Sequence, residues 1–119
     1  MNTATMANTA LDAFVHYLAT GEDPHHRIAE DLKGEMNFPG TSFGLLNKAG
    51  FDDLRRRVSD QPWVMRVEAM EPTASGFVTV IEYDATLDEK TETYRTITTV
   101  TVTGEQITHL AHWCTGALE

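Results

Sequence analysis

The side chains best suited to chemistry lie near the C-terminus, in the run LAHWC at residues 110–114. Because successive side chains of a β-strand point to opposite faces, His112 and the chain's single thiol, Cys114, share one face with Leu110. An imidazole titrates near neutral pH and can act as a general acid or base. A thiolate beside a protonated imidazole can act as a nucleophile. The alternatives are structural: a hydrogen-bonded core histidine and a small apolar cysteine.

Tyr17 is a third candidate, at the edge of an apolar stripe on the first predicted helix. That helix begins at Thr9, which can cap it, and ends at Gly21. Its apolar residues recur at the spacing of one helical face: Leu11, Phe14, Val15 and Leu18. A tyrosine hydroxyl can polarise a carbonyl group or stabilise an enolate by donating a hydrogen bond. The alternative is a packed helix tyrosine whose hydroxyl lies at the rim.

The elements that must position these residues follow from apolar spacing and from Gly and Pro. Asp23-Pro24 predicts the start of a second helix over residues 25–32, which Gly34 ends. Residues 35–38 predict a brief strand, 41–50 a loop and 51–59 a third helix. Four longer strands follow, over 63–70, 77–83 and the two arms of a hairpin that turns at 103–105. This order predicts an α+β fold: a curved, antiparallel-rich sheet wrapped around three N-terminal helices, with a cone-shaped cavity.

The alternation along these strands predicts which side chains line the cavity. Together with Tyr17, His112 and Cys114, they are Phe38, Trp63, Met65, Phe77, Thr79, Ile81, Thr96, Thr98 and Leu110. An apolar lining with a few polar groups is typical of a small-molecule site, and the alternative is that these side chains fill the interior. No histidine or cysteine spacing matches a known metal site, so we expect neither a metal nor a cofactor.

Composition and charge indicate the cellular location to expect and the classes of partner to exclude. The length suits one domain over residues 1–119, with a flexible lead-in at 1–8, and the formal net charge of −9 disfavours nucleic acid and anionic membranes. No apolar run approaches the roughly 20 residues of a membrane span. The N-terminus lacks a secretory pattern, and a single cysteine fits the cytoplasm. Four apolar residues on the opposite face of the strands need a cover: Val78, Val80, Ala111 and Trp113. We therefore expect a homodimer that packs sheet against sheet.

The order of elements, with four short segments, resembles the nuclear transport factor 2-like superfamily in its SnoaL-like and ketosteroid-isomerase-like branch. The segments are VHYLA at 15–19, GFDDL at 50–54, FVTVIEY at 77–83 and ITHLAHWC at 107–114. The resemblance covers about residues 7–116 and implies a cystatin-like α+β barrel. It leaves the reaction open, because this fold hosts isomerases, cyclases, hydrolases, dehydratases and binding proteins.

Three reaction patterns of the family are incomplete in this chain. Ketosteroid isomerase uses an Asp base, with an oxyanion hole made of a Tyr and a protonated Asp. The Tyr falls on Tyr17, but the acid positions fall near Asn37-Phe38 and Thr98, which carry no acid. SnoaL-like cyclases commonly carry His-Trp-Asp where this chain has His112-Trp113-Cys114. The epoxide-hydrolase branch uses an Asp-Arg-Asp set, and no arginine here can be placed between inward acids.

The resemblance therefore implies a cofactor-independent cyclase, isomerase or lyase that acts on a small hydrophobic carbonyl compound of polyketide or terpenoid type. In this interpretation His112 moves the proton, Tyr17 stabilises the enolate, and Cys114 assists or shapes the pocket. The alternative is a non-catalytic member that binds a hydrophobic ligand or serves as an assembly partner, which the missing acids favour. An epoxide hydrolase or a dehydratase is a weaker alternative.

Overall fold

The computed structural model describes residues 3–38, 41–58, 64–87 and 89–117, with the side chains of 8–37, 44–54, 64–84 and 89–114. Within these residues it contains α1 (Thr3–Thr20), β1 (Ile28–Phe38), β2 (Thr41–Leu46), α2 (Lys48–Val58), β3 (Val64–Pro72), β4 (Gly76–Leu87), β5 (Lys90–Thr103) and β6 (Gln106–Ala117). Neither of these helices has the length and apolar character needed to cross a membrane.

The strands form one sheet in the order β2-β1-β6-β5-β4-β3. Every neighbouring pair is antiparallel except β1 and β6, which run parallel. α1 packs on β3 and β4, and α2 packs on β1, so both helices cover one face of the sheet, here named the inner face. Register shifts in several strand pairs bend the sheet around the helices. The predicted α+β class with an antiparallel-rich sheet is confirmed.

α1 begins at Thr3, so the predicted helix start is wrong and most of the predicted lead-in is helical. The physical reason is that residues 3–8 contain no Gly or Pro that would stop a helix. Phe14 of α1 is fully buried and meets Phe77 of β4 edge to face, with ring centroids 6.3 Å apart. The predicted helix end is confirmed, because Gly21 has a φ of 79° and its N–H closes the last turn at 2.7 Å.

The helix predicted over residues 25–32 is wrong, because this segment is a turn followed by β1. Asp23 caps no helix; its carboxylate accepts the N–H groups of Ile28 at 3.0 Å and Arg27 at 2.8 Å. It also pairs with Nζ of Lys48 in α2 at 3.3 Å. Burial raises the pKa of Asp23, but these two N–H groups and Lys48 together shift it below its ordinary value. The turn into β1 is therefore held by an ionised carboxylate.

Burial along β1 shows why this segment is a strand. Every second residue of its later part is buried, which is the period of a strand: Leu32, Gly34 and Met36. Gly34 does not end a helix as predicted. A Cβ at Gly34 would overlap the ring of Phe51 from α2, so glycine permits the close approach of helix and sheet.

The loop predicted over residues 41–50 is also wrong. Thr41–Leu46 forms β2, antiparallel to β1, and Lys48 begins α2. Asn47 caps this helix, because its Oδ1 accepts the N–H of Gly50 at 2.9 Å. The third predicted helix is thus present with an earlier start, although residue 59 lies outside the described residues. The described residues contain two helices rather than the predicted three, because the segment predicted as the second helix pairs with β6 as strand β1.

The four longer strands are confirmed, and the last two join through a two-residue turn at Gly104-Glu105 in which Gly104 has a φ of 64°. The predicted alternation of β3 is wrong after its first half. A bulge between Val67 and Ala69 shifts the register, so Ala69 is exposed and Met70 takes the inward place.

Candidate functional site

Cross-strand pairing on the inner face sets side chains in rows that run across the sheet. The apolar row contains Phe77, Val100, Leu110 and Gly34. The histidine row contains Thr79, Thr98, His112 and Met36. The cysteine row contains Ile81, Thr96 and Cys114, and the tyrosine row contains Tyr83 and Tyr94. Phe14 and Phe51 cover the two ends of the apolar row. The polar side chains of the inner face lie in the other three rows.

The structure buries the predicted lining residues of the last three strands on this inner face: Phe77, Thr79, Ile81, Thr96, Thr98, Leu110, His112 and Cys114. Met65 of β3 is partly buried and packs against the core. The side chain of Phe38 and the whole of Trp63 lie outside the described residues. That this set binds a ligand stays a prediction.

His112 is buried and held at one ring nitrogen. Its Nδ1 lies 2.8 Å from Oγ1 of Thr98, its direct neighbour in the histidine row. Only 5% of the residue is exposed, and burial lowers its pKa from 6.5 to about 4. The imidazole is therefore neutral at pH 7. Within the described part of the chain Nε2 has no hydrogen-bond partner, so this is the atom that can exchange a proton with a ligand.

Cys114 lies beside a tyrosine rather than a charged imidazole. Its Sγ is 3.7 Å from Oη of Tyr83, whose ring stacks on Tyr94 with centroids 5.4 Å apart. Burial, and then the neighbouring thiol, raises the pKa of Tyr83, so its hydroxyl stays protonated. A neutral His112 cannot stabilise a thiolate. The arrangement therefore favours a pocket-shaping role for Cys114 over a nucleophilic one.

The side chain of Tyr17 is hydrogen-bonded to a residue of α2. It is 2% exposed, and its Oη donates to Oδ1 of Asp52 at 2.6 Å. A short bond to a carboxylate is one of the stronger hydrogen bonds in proteins. The sequence did not indicate Asp52 as the partner of Tyr17, although the segment GFDDL at residues 50–54 contains this acid. No spacing rule could have paired them, because only the placement of both helices on the inner face brings the two side chains together.

Comparison with known proteins gives the fold a name. No family model and no curated protein matches this chain by sequence. Solved structures match it: a nuclear transport factor 2-like (NTF2-like) protein from Anabaena variabilis aligns with a TM-score of 0.73 and 20% identity, over 94% of this chain and 88% of that one. IdmH of Streptomyces antibioticus, a candidate polyketide cyclase, aligns with a TM-score of 0.72 and 9% identity, over 91% of each chain. The chain has the NTF2-like fold.

An LEH-like epoxide hydrolase of M. tuberculosis shares the NTF2-like fold, with a TM-score of 0.70 and 15% identity over 92% of this chain and 83% of that one. At these identities the likeness shows the fold alone. The resemblance predicted from short segments and element order is confirmed at this level.

Two arginines of this NTF2-like chain lie on the outer face of the sheet. Nη2 of Arg66 pairs with Oε1 of Glu82 at 2.9 Å and with Oδ1 of Asp84 at 3.0 Å. Nη2 of Arg95 pairs with Oε2 of Glu82 at 3.2 Å. Hydrogen bonds from Arg66 are the main reason that the pKa values of Glu82 and Asp84 are lowered. Neither arginine lies between inward acids, as the sequence indicated.

The described part of the chain offers few other candidate sites. No group of three or more His, Cys, Asp or Glu side chains described here is placed to hold a metal ion, and the expectation of no metal and no cofactor stays a prediction. Two surface pockets of about 370 and 160 Å³ flank Arg27 beside α1. Neither is lined by a residue of the four inner rows.

Proposed function

We propose that this NTF2-like protein is a cofactor-independent cyclase, isomerase or lyase that acts in the cytoplasm on a small hydrophobic carbonyl compound of polyketide or terpenoid type. The observation that carries the proposal is His112, a buried and neutral imidazole held by Thr98 at 2.8 Å. The adjacent row of Phe77, Val100 and Leu110 is apolar, a character that suits a hydrophobic substrate. IdmH, a candidate polyketide cyclase with the same fold, supports the substrate class.

In this proposal Nε2 of His112 takes a proton from the carbon next to the substrate carbonyl. The tautomer that permits this step has Nδ1–H donating to Oγ1 of Thr98, which leaves the lone pair of Nε2 for the substrate. A pKa of about 4 makes the imidazolium a strong acid, so it returns the proton readily. This property suits isomerisation and ring closure, because in both reactions the proton returns to the product.

Exchange of carbon-bound protons tests the base directly. The protein is incubated in D₂O with a panel of hydrophobic ketones, and NMR follows the loss of protons next to each carbonyl. We expect His112→Gln to slow exchange by about 100-fold, because acid–base catalysis contributes at least this factor. His109→Gln is the matched control, since His109 lies on the same strand and is exposed on the outer face. Equal rates for wild type and His112→Gln would remove the proposal.

A non-catalytic binding protein is the second candidate. Its support is that the four inner rows contain no Asp or Glu, so the acids of the related enzymes have no counterpart there. Such a protein would bind hydrophobic ketones without exchanging their protons, and a binding measurement beside the exchange experiment separates the two candidates. Epoxide hydrolysis has less support, because Arg66 and Arg95 are paired on the outer face.

We also propose that a second copy of the chain covers the outer face of the sheet. Ile97 and Trp113 are paired across β5 and β6, and they are 43% and 44% exposed. Beside them Arg66, Glu82 and Arg95 follow one another across the sheet with alternating charge. A copy related by a two-fold axis can place these opposite charges against one another. An apolar pair next to self-complementary charges therefore supports a homodimer.

A further inference from the structure

The two surface pockets beside α1 share two lining residues, Thr9 and Arg27. The larger pocket, of about 370 Å³, lies between a stripe of α1 and the turn into β1. The residues that α1 contributes to it follow the spacing of one helical face: Thr9, Asp12, Ala13 and His16. The smaller pocket, of about 160 Å³, extends to the turn between β5 and β6. A volume of this size suits a small molecule.

The backbone of Arg27 is fixed on both sides. Its N–H donates to Oδ1 of Asp23 at 2.8 Å, and its C=O accepts the N–H of Ile107 in β6 at 2.7 Å. The side chain therefore starts from a fixed point in the wall that the two pockets share. A ligand that binds Arg27 does not have to order its backbone, which lowers the free-energy cost of binding.

The guanidinium of Arg27 is weakly paired. Its Nη1 lies 3.5 Å from the C=O of Glu105 and 4.0 Å from Oε2 of the same residue, both longer than the roughly 2.9 Å of an ordinary hydrogen bond. The Glu105 side chain is 88% exposed, so this ion pair contributes little. On the outer face, by comparison, Nη2 of Arg66 lies 2.9 and 3.0 Å from two carboxylates. Among the described residues, Nε and Nη2 of Arg27 have no hydrogen-bond partner.

The charges around Arg27 favour a ligand with a single negative charge. The larger pocket is also lined by Asp12 and Asp23, and Lys48 lies 3.3 Å from the Asp23 carboxylate. These carboxylates and the net charge of −9 repel a phosphate dianion more than a carboxylate monoanion. The planar fork of a guanidinium also matches a carboxylate.

The smaller pocket favours a ligand with an apolar group. Three apolar side chains line it beside Arg27: Ala10, Val102 and Ile107. A short hydrocarbon group would be removed from water against them. The ligand that matches both pockets is therefore a small carboxylate with a short apolar tail.

We propose that Arg27 binds a small apolar monocarboxylate at a site separate from the four inner rows. The two carboxylate oxygens accept parallel hydrogen bonds from Nε–H and Nη2–H of Arg27, and the apolar tail lies in the smaller pocket. The weak contact with Glu105 costs little to replace. This site is independent of the proposed proton transfer by His112, because no residue of the histidine row lines either pocket.

An NMR titration of the ¹⁵N-labelled protein with sodium 3-methylbutanoate tests the site, with sodium chloride keeping the ionic strength constant. The Nε–H signal of Arg27, assigned by its loss in Arg27→Gln, should shift and reach saturation at millimolar ligand. The shifts of backbone N–H groups around the two pockets give the affinity of each variant. Arg27→Gln should weaken binding by at least about 10-fold, because it removes hydrogen bonds from a charged group.

Glu105→Gln should change the affinity in the opposite direction. It removes a competing carboxylate beside Arg27, so binding should tighten by up to about fivefold. Lys33→Gln is the matched control, since it removes one positive charge from an exposed position of β1 that lines neither pocket. The affinity of this variant should change by less than about twofold.

Acetate and inorganic phosphate complete the set of ligands. Acetate should bind about 10-fold more weakly than 3-methylbutanoate, because it lacks the apolar tail. Equal affinities of the wild type and Arg27→Gln, or wild-type shifts that do not saturate, would remove the site. Tighter binding of phosphate than of 3-methylbutanoate would overturn the carboxylate assignment. His112→Gln should bind 3-methylbutanoate as the wild type does, so a failure of this site leaves the proposed proton transfer standing.

Discussion

The inner and outer faces of this sheet alternate along the same strands, yet they hold their polar groups in opposite ways. On the outer face Arg66 pairs with two carboxylates, Glu82 at 2.9 Å and Asp84 at 3.0 Å, in contact with water. On the inner face Thr98 and His112 share one 2.8 Å bond away from water. An outer group can replace a lost partner with water, whereas an inner group has only the partner that the fold provides. In the proposed function, the hydrogen-bonding capacity of His112 that Thr98 does not use is the capacity that a substrate would take up.

The largest effect that would sharpen this contrast is the pH dependence of stability. Burial lowers the pKa of His112 from 6.5 to about 4, so between these values the unfolded chain binds a proton that the folded chain does not. The free energy of unfolding should therefore fall as the pH drops through this window, by about 3 kcal/mol in total. Urea unfolding at several pH values measures the slope, which His112→Gln should lack.

The control for this prediction is His109→Gln on the exposed side of β6, which should keep the wild-type slope. The carboxylates with lowered pKa values are Asp23, Glu82, Asp84 and Glu92, whose ordinary values are 3.8 for aspartate and 4.5 for glutamate. They begin to lose their stabilisation about one pH unit above these values, so the upper part of the window, from pH 6.5 to about 5.5, reports on His112. If His112→Gln kept the wild-type dependence of unfolding free energy on pH, the two faces would not differ in this way.

A smaller effect is expected from adjacent threonines on opposite faces of β5. Thr98→Val leaves Nδ1 of His112 buried without its partner, which should cost about 2 kcal/mol of unfolding free energy. Thr99→Val makes the same change on the exposed face, where we expect less than about 0.5 kcal/mol. Urea unfolding of the two variants at pH 7 compares them. Equal losses would show that the two faces do not differ in this way.

The smallest effect on the folding of one subunit is expected at Trp113, which is 44% exposed. Trp113→Glu should change the stability of a subunit by less than about 0.5 kcal/mol. It should nevertheless abolish the proposed dimer, because a carboxylate would be buried next to Ile97 without a partner. Sedimentation velocity should show a dimer for the wild type and a monomer for the variant. A wild type that is monomeric at high protein concentration would contradict the dimer proposal.

The inner face of the last three strands was predictable from local pattern. Thr96, Thr98 and Val100 alternate with outward residues, and Gly104 marks the turn, so the face of His112 followed from counting along β6. The segment after Asp23 was not predictable in this way. Its apolar residues fit one side of a short helix as well as one face of a strand, and pairing with β6 decided between them.

Local chemistry was thus enough to assign the α+β class, the set of inward side chains on β4 to β6, and the shared face of His112 and Cys114. Strand periodicity and turn residues act over a few neighbours, so they can be read along the chain. The partner of each hydroxyl required the folded molecule. Tyr17 meets Asp52 and Tyr83 meets Cys114 only because helix packing and strand order bring residues together that are 35 and 31 positions apart in the chain.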